Sequence, residues 1–238
     1  MNNNTNNLTK TKVKICGIQT EAIAQQLSTL PVDFVGFVFA ESKRKVTAEK
    51  AAELIQSMER GSYDPMFAGV FVNPTMEQLE NVLHHAPLHI VQLHGEESPD
   101  FCKQVKASFP NMNIFKVFSV NTDGETSIDE QQGQWQAIIA PYAPYIDGVM
   151  LDTVHKGQAG GTGKTFAWDT IPDVKQCTDA LSLPLIVAGG LHADNVQPCI
   201  AQYAPDGVDV SSGVESNGEK DTQKIEDFVK QVKEMVNQ

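Results

Sequence analysis

Short continuous apolar runs, rich in β-branched and aromatic residues, alternate along this chain with polar stretches in which apolar residues recur at helical spacing. The runs are Lys12 to Cys16, Phe34 to Phe39, Met66 to Val72, His89 to Leu93, Ile114 to Phe118, Gly148 to Leu151, Leu185 to Val187 and Gly207 to Val210. Helical spacing falls on Thr47 to Glu59, Met76 to His84 and Pro99 to Phe109. The first of these opens on Thr47, but Lys50 stands where a capping box would carry Glu or Gln, so only half of the box is present. Strands that are apolar throughout are buried on both faces, which is the habit of a parallel sheet covered by helices. Eight strand-helix units are enough to close that sheet, so the pattern predicts an α/β protein with one parallel eight-stranded (β/α)8 TIM barrel over residues 12–238. Residues 1–11, polar and rich in Asn, read as a flexible tail, and Asn121 to Gln134 reads as a polar loop in the fifth unit.

Length fits this picture, since 238 residues suit one α/β barrel better than two small domains. The chain has no apolar stretch of about 18 residues to span a bilayer, and its polar start lacks the apolar segment of a secretory signal. A formal charge of -12 repels phosphate backbones and argues against general nucleic-acid binding, while leaving room for a local pocket that holds one small anion. The four cysteines, Cys16, Cys102, Cys177 and Cys199, are far apart with no Cys-x-x-Cys pair, so neither a zinc module nor a disulfide scaffold is expected and a cytoplasmic setting is the default. No His-x-x-x-His pair is present, and no metal is expected.

In such a barrel the chemistry belongs where strands end. The last two runs dissolve into small residues, Ala188, Gly189 and Gly190 after one and Ser211, Ser212 and Gly213 after the other. Two loops of this kind side by side make a cup in which an anion approaches backbone N–H groups. Cys16 ends the first run and is followed by Gly17; a thiolate there can abstract a proton, although by type a buried cysteine is more often an inert small hydrophobe. An unperturbed thiol needs nearby positive charge to ionise near neutrality. Lys12 and Lys14 are not assigned that task, since either can point elsewhere. Asp152 ends the sixth run and is a candidate acid, against the plainer reading of a helix cap or solvated carboxylate. Arg44 follows the second strand within a basic run; Lys43 and Lys45 read as solvated, whereas the Arg44 guanidinium can grip a carboxylate with two parallel hydrogen bonds. His94 ends the fourth run and is either a site-lining or a structural histidine.

The segment from Gly157 to Thr165 superficially matches a nucleotide-binding P-loop, but Gln158 stands where the motif requires its first Gly, and Gly157 is one place too early. A lid over the barrel mouth fits that segment better.

Taken in order, Lys14-Ile15-Cys16-Gly17-Ile18, Gly36-Phe37-Val38-Phe39 with Ser42-Lys43-Arg44, Gly69-Val70-Phe71-Val72-Asn73, Gln92-Leu93-His94-Gly95, Leu151-Asp152, Gly161-Thr162-Gly163 and Asp209-Val210-Ser211-Ser212-Gly213-Val214-Glu215 resemble the phosphoribosylanthranilate isomerase family over nearly the whole chain. That resemblance implies a cofactor-free barrel of tryptophan biosynthesis. Its reaction is the Amadori rearrangement of N-(5-phosphoribosyl)anthranilate to 1-(2-carboxyphenylamino)-1-deoxyribulose 5-phosphate. By similarity Asp152 is the general acid that opens the ribose ring and Cys16 the general base that removes the C2 proton. Arg44 then holds the anthranilate carboxylate, and the backbone around Gly189, Gly190, Ser211, Ser212 and Gly213 holds the phosphate. Asp209 shares the alternation face of Ser211 and is placed near Cys16, below the others in rank. No indole-glycerol-phosphate synthase domain fits in this length, so a fused bifunctional form is not expected. The sequence leaves the oligomeric state open.

Two other readings stand beside this one. A non-catalytic phosphosugar-binding barrel needs only the cup and Arg44. A nucleotide-hydrolysing protein needs the Gly157 to Thr165 segment to act as a P-loop, which its spacing disfavours.

Overall fold

The computed structural model describes residues 11–58, 61–120, 134–152 and 168–234. Strands β1 (Lys12–Cys16), β2 (Phe34–Val38), β3 (Met66–Phe71), β4 (Ile90–Leu93), β5 (Asn113–Ser119), β6 (Gly148–Asp152), β7 (Leu185–Ala188) and β8 (Gly207–Val210) pair in chain order, all parallel, and β8 returns to β1 to close a barrel. The closing register sets Lys14 beside Asp209 and Ile15 beside Val210. Each strand leads to a helix: α1 (Glu21–Leu27), α2 (Ala48–Met58), α3 (Met76–His85), α4 (Pro99–Ser108), α5 (Gln134–Ile139), α6 (Ile171–Ala180), α7 (Ala193–Tyr203) and α8 (Thr222–Glu234). A small antiparallel pair, β9 (Glu215–Ser216) and β10 (Glu219–Lys220), sits between β8 and α8.

The eight apolar runs are the eight strands, displaced by a residue or so at their ends. Thr47 lies outside α2 and its hydroxyl accepts a hydrogen bond from the Lys50 N–H, 3.1 Å, which is the half box that the sequence allows. Thr75 makes a full box with Gln78 at the start of α3. Of the stretch read as a polar loop, residues 121–133 lie outside the described residues and Gln134 opens α5. Thr11, read as the end of the tail, is buried.

Alternation divides the apolar residues into two layers. Outward positions such as Val13, Ile15, Phe37, Leu93, Val208 and Val210 join the helices in the larger core, which includes Leu54 and Phe228. Inward positions Phe34, Ala68, Ile90, Phe115, Val117, Met150, Ile186 and Ala188 fill the barrel, with Phe34 and Phe115 edge to face at 5.8 Å.

The lower, N-terminal face is tied by residues that immediately precede even-numbered strands. Asp33, Asp147 and Asp206 accept hydrogen bonds from Val13, Ile114 and Leu185, each at 2.8 Å. His89 Nδ1 accepts one from Phe67 at 3.0 Å. These contacts stabilise the end of the barrel away from the strand C-termini, and leave the other rim for chemistry.

Candidate active site

Because Val13, Ile15, Val208 and Val210 face outward, Lys14, Cys16 and Asp209 must face into the barrel. Their surroundings agree. Lys14 is fully buried, and its ammonium donates to Asp209 Oδ1 at 2.9 Å. The same ammonium lies close to the thiol of Cys16 and favours its ionised form. Gly36, paired with Cys16 across β1 and β2, makes this crowding possible: a Cβ there would lie 2.8 Å from Cys16 Sγ and 3.0 Å from Lys14 Nζ.

Burial raises the pKa of the Cys16 thiol, since a thiolate loses its hydration there; the Lys14 ammonium opposes this and Asp209 adds to it, and the net direction is up. Burial also works against the charge on Lys14, but Asp209 and Cys16 outweigh it and hold Lys14 as a cation. Cys16 therefore rests mainly as a thiol next to a fixed positive charge, and a further positive charge forming in the mouth favours its ionisation.

Asp152 shares the inward face of Met150 at the end of β6. Its Oδ2 lies 3.0 Å from Nε2 of His94, at the end of β4, whose Nδ1 lies 3.3 Å from the amide nitrogen of Gln92. β6 and β1 are three steps apart around the ring of eight strands. With strands about 4.8 Å apart and tilted about 36°, backbone positions three steps apart are about 14 Å across the mouth, which leaves about the width of one pentose between two inward side chains.

The small-residue loops after β7 and β8 do lie side by side. Gly189 and Gly190 have φ of 90° and 65°, and a Cβ on Gly190 would enter open space. Asn195 ties this loop down: its amide donates to Gly190 O at 2.9 Å and its Oδ1 accepts from the His192 N–H at 2.8 Å. Ser211 leads into a 3-10 turn over Ser212–Val214, and its hydroxyl donates to the Cys16 carbonyl at 3.2 Å. Gly213 presses directly on the neighbouring loop, where a Cβ would stand 1.9 Å from the Leu191 carbonyl oxygen. Neither backbone can yield cheaply. Gly213→Ala should therefore destabilise the fold by about 2 kcal/mol, a fall in Tm of roughly 5 °C. A thermal melt within 1 °C of the parent, about a fifth of that fall, would show that these loops do not need this contact.

Arg44 was expected to reach the mouth, and its side chain does lie over Gly17, where a Cβ would meet Arg44 Cδ at 2.6 Å. The guanidinium is held in a fork by Glu215, with Nε to Oε1 at 2.6 Å and Nη2 to Oε2 at 2.9 Å. Lys220, whose side chain is only 6% exposed, donates to Glu215 Oε1 at 2.9 Å and to the Ser211 carbonyl at 2.9 Å. Burial opposes the charge on Glu215, but the hydrogen bonds from Arg44 and Lys220 prevail and bring its pKa down to about 2. Burial lowers the Lys220 pKa despite that partner. Arg44 is thus aimed by a preformed ion-pair cluster that also braces the loop after β8.

All of Cys16, Asp152, His94, Arg44, Asp209, Ser211, Ser212, Gly213, Gly189 and Gly190 sit at the C-terminal rim. Sequence reasoning passed over Lys14, Gln92, Glu215 and Lys220. The signal for the first two was alternation: Lys14 stands two residues before Cys16 and Gln92 two before His94, so each shares its neighbour's face. Glu215 and Lys220 meet Arg44 only through the fold. The segment Gly157 to Thr165, read as a lid, lies outside the described residues. Among the described residues no group of His, Cys, Asp and Glu is arranged to hold a metal ion, and no helix is long and apolar enough to cross a membrane.

A closed eight-stranded parallel barrel with a thiol, a carboxyl group and two small-residue loops at its C-terminal rim defines the class of single (β/α)8-barrel enzymes. The profile of the N-(5'phosphoribosyl)anthranilate (PRA) isomerase family matches residues 13–231, and this chain belongs to that family. It is 44% identical over 223 residues to the N-(5'-phosphoribosyl)anthranilate isomerase of Brevibacillus brevis, an alignment covering 94% of each chain. Its identity to that of Dehalococcoides mccartyi is 39% over 225 residues, covering 94% of this chain and 96% of the relative. The structure of the Pyrococcus furiosus isomerase superposes with a TM-score of 0.73 at 28% identity, covering 94% of this chain and 99% of the other. A phosphoribosyl anthranilate isomerase solved in complex with reduced 1-(o-carboxyphenylamino)-1-deoxyribulose 5-phosphate superposes with a TM-score of 0.69 at 29% identity, with the same coverage.

Proposed function

We infer that this chain catalyses the conversion of N-(5-phosphoribosyl)anthranilate to 1-(2-carboxyphenylamino)-1-deoxyribulose 5-phosphate, with Asp152 as general acid and Cys16 as general base. The observation that carries this reading is the placement of both groups on inward faces at strand ends, three steps apart, beside a cup of two abutting small-residue loops. Family membership and the reduced product analogue bound by a relative support the substrate.

Asp152 gives its proton to the furanose ring oxygen. The C1–O bond breaks, the anthranilate nitrogen lone pair forms C1=N, and an open-chain iminium results. Its positive charge acidifies the C2–H bond and favours the thiolate of Cys16, which takes that proton. The C–H electrons form C1=C2 and neutralise the nitrogen, and the resulting enolamine becomes the ketone as C1 gains a proton and the C2 hydroxyl loses one. C1 is reduced and C2 oxidised within one molecule, so the reaction needs no external redox partner. Lys14, fixed by Asp209, is the cation that offsets the thiolate.

Gly189, Gly190, Ser211, Ser212 and Gly213 are assigned to the phosphate. Arg44, aimed by Glu215, is assigned to the anthranilate carboxylate. Anchoring both ends holds the pentose between the two proton-transfer groups. An assay that follows the loss of anthranilate fluorescence from freshly made phosphoribosylanthranilate tests the activity. A decay no faster than the protein-free blank would end this reading.

A further inference from the structure

Gln92 lies on the inward face of β4, and its register neighbours are Val70 on β3 and Phe115 on β5. It is 1% exposed, and among the described residues its Oε1 is buried with no hydrogen-bond partner. Its only polar contact among those residues is the 3.3 Å approach of Nε2 to His94 Nδ1. A buried amide that leaves an oxygen unmatched among apolar neighbours costs stability that an apolar residue of the same shape would not. The fold gains nothing that explains it. The contact on its other side does, because His94 Nε2 is the 3.0 Å partner of Asp152.

We propose that Gln92 is a positioning residue whose amide keeps Nδ1 of His94 hydrogen-bonded in either ring tautomer, so that the ring can follow the proton of Asp152. An amide presents a donor on one side and an acceptor on the other, and a half turn about its last bond exchanges them. With Nε2 toward the ring, Nδ1 accepts, Nε2 of His94 carries the hydrogen, and the ring donates to an ionised Asp152. With Oε1 toward the ring, Nδ1 carries the hydrogen and Nε2 of His94 accepts from a protonated Asp152. These are the two states between which a general acid must alternate, and Gln92 completes the hydrogen-bonded chain in both. Other charged or titratable side chains near the mouth among the described residues are Lys14, Cys16 and Asp209, which cluster on β1 and β8, Arg44, Glu215 and Lys220 at the last loop, and the Glu97–Lys116 pair that bonds Gly95 next to His94.

The inference rests on Asp152 acting as the acid, and the test separates the two claims. Gln92→Met keeps the side-chain length and removes both polar atoms. It should melt no lower than the parent, lower kcat about tenfold with KM within about twofold, and shift the limb of the kcat-pH profile that reports the acid. In a His94→Asn background the same substitution should change kcat by less than about twofold, because the group it acts through is gone. An undiminished kcat and unmoved profile in Gln92→Met, or an equal loss with and without His94, overturns the proposal while leaving the isomerase reading intact. Absence of isomerase activity in the parent is the separate failure of that reading. If Gln92→Met does not fold, 15N spectra of the parent decide: the neutral His94 ring is expected to pass from one tautomer to the other across the pH range of the acid limb, and a tautomer ratio that stays that of free imidazole throughout overturns the proposal.

Discussion

Cys16→Ser is expected to lower kcat by a factor on the order of 10³ while leaving KM within a few-fold. Serine fits the space beside Gly36 and leaves the Lys14–Asp209 pair in place, so the geometry survives. What is lost is an accessible anion: a hydroxyl does not ionise near neutrality even next to a cation, whereas a thiol does. The pH dependence carries the same signature. Burial raises the Cys16 pKa in the free enzyme, so the thiolate is scarce at neutral pH; because Asp152 must keep its proton while Cys16 gives one up, kcat/KM should fall off towards both pH extremes, and Cys16→Ser should lack the limb that Cys16 contributes. Steady-state rates measured against pH for both proteins check this. A Cys16→Ser protein that turns over within tenfold of the parent would remove the thiol from the chemistry.

Asp152→Asn should be equally damaging, with kcat down by about 10²–10⁴. The asparagine oxygen can still meet His94 Nε2 and the side-chain volume is unchanged, so the mouth stays formed. An amide has no dissociable proton to give to the ring oxygen, and the furanose stays closed. Binding of a reduced product analogue is already ring-open and makes no use of that proton. Its Kd, measured by calorimetry, should stay within a few-fold of the parent while turnover collapses. Parallel losses in analogue affinity and turnover would mean that Asp152 holds substrate rather than protonating it.

Much of this site was legible because barrel chemistry follows strand ends, and strand ends are marked by local chemistry. Cys16-Gly17, Leu151-Asp152 and the two small-residue loops each announce themselves within a few residues. Arg44 follows the second strand in sequence and lies over Gly17 in the fold, but its fork with Glu215 is not legible along the chain, since the two are separated by 171 positions. Lys14 shows the reverse failing. A lysine in a strand was set aside as able to point elsewhere, when alternation with Cys16 already placed it inward; only its burial against Asp209 shows why so costly a position is tolerated.

The sequence by itself determined the barrel and its rim, because continuous apolar runs, their spacing and the small residues after them are properties of neighbours along the chain. The tertiary structure decided which charges meet. Closure of β8 onto β1 brings Asp209 to Lys14 and Cys16, the crossing of the last loop over Arg44 brings Glu215 and Lys220, and the reach from β4 to β6 joins Gln92 and His94 to Asp152. Proton affinities at this mouth are set by burial and by partners from other strands, and both arise only once the ring has closed.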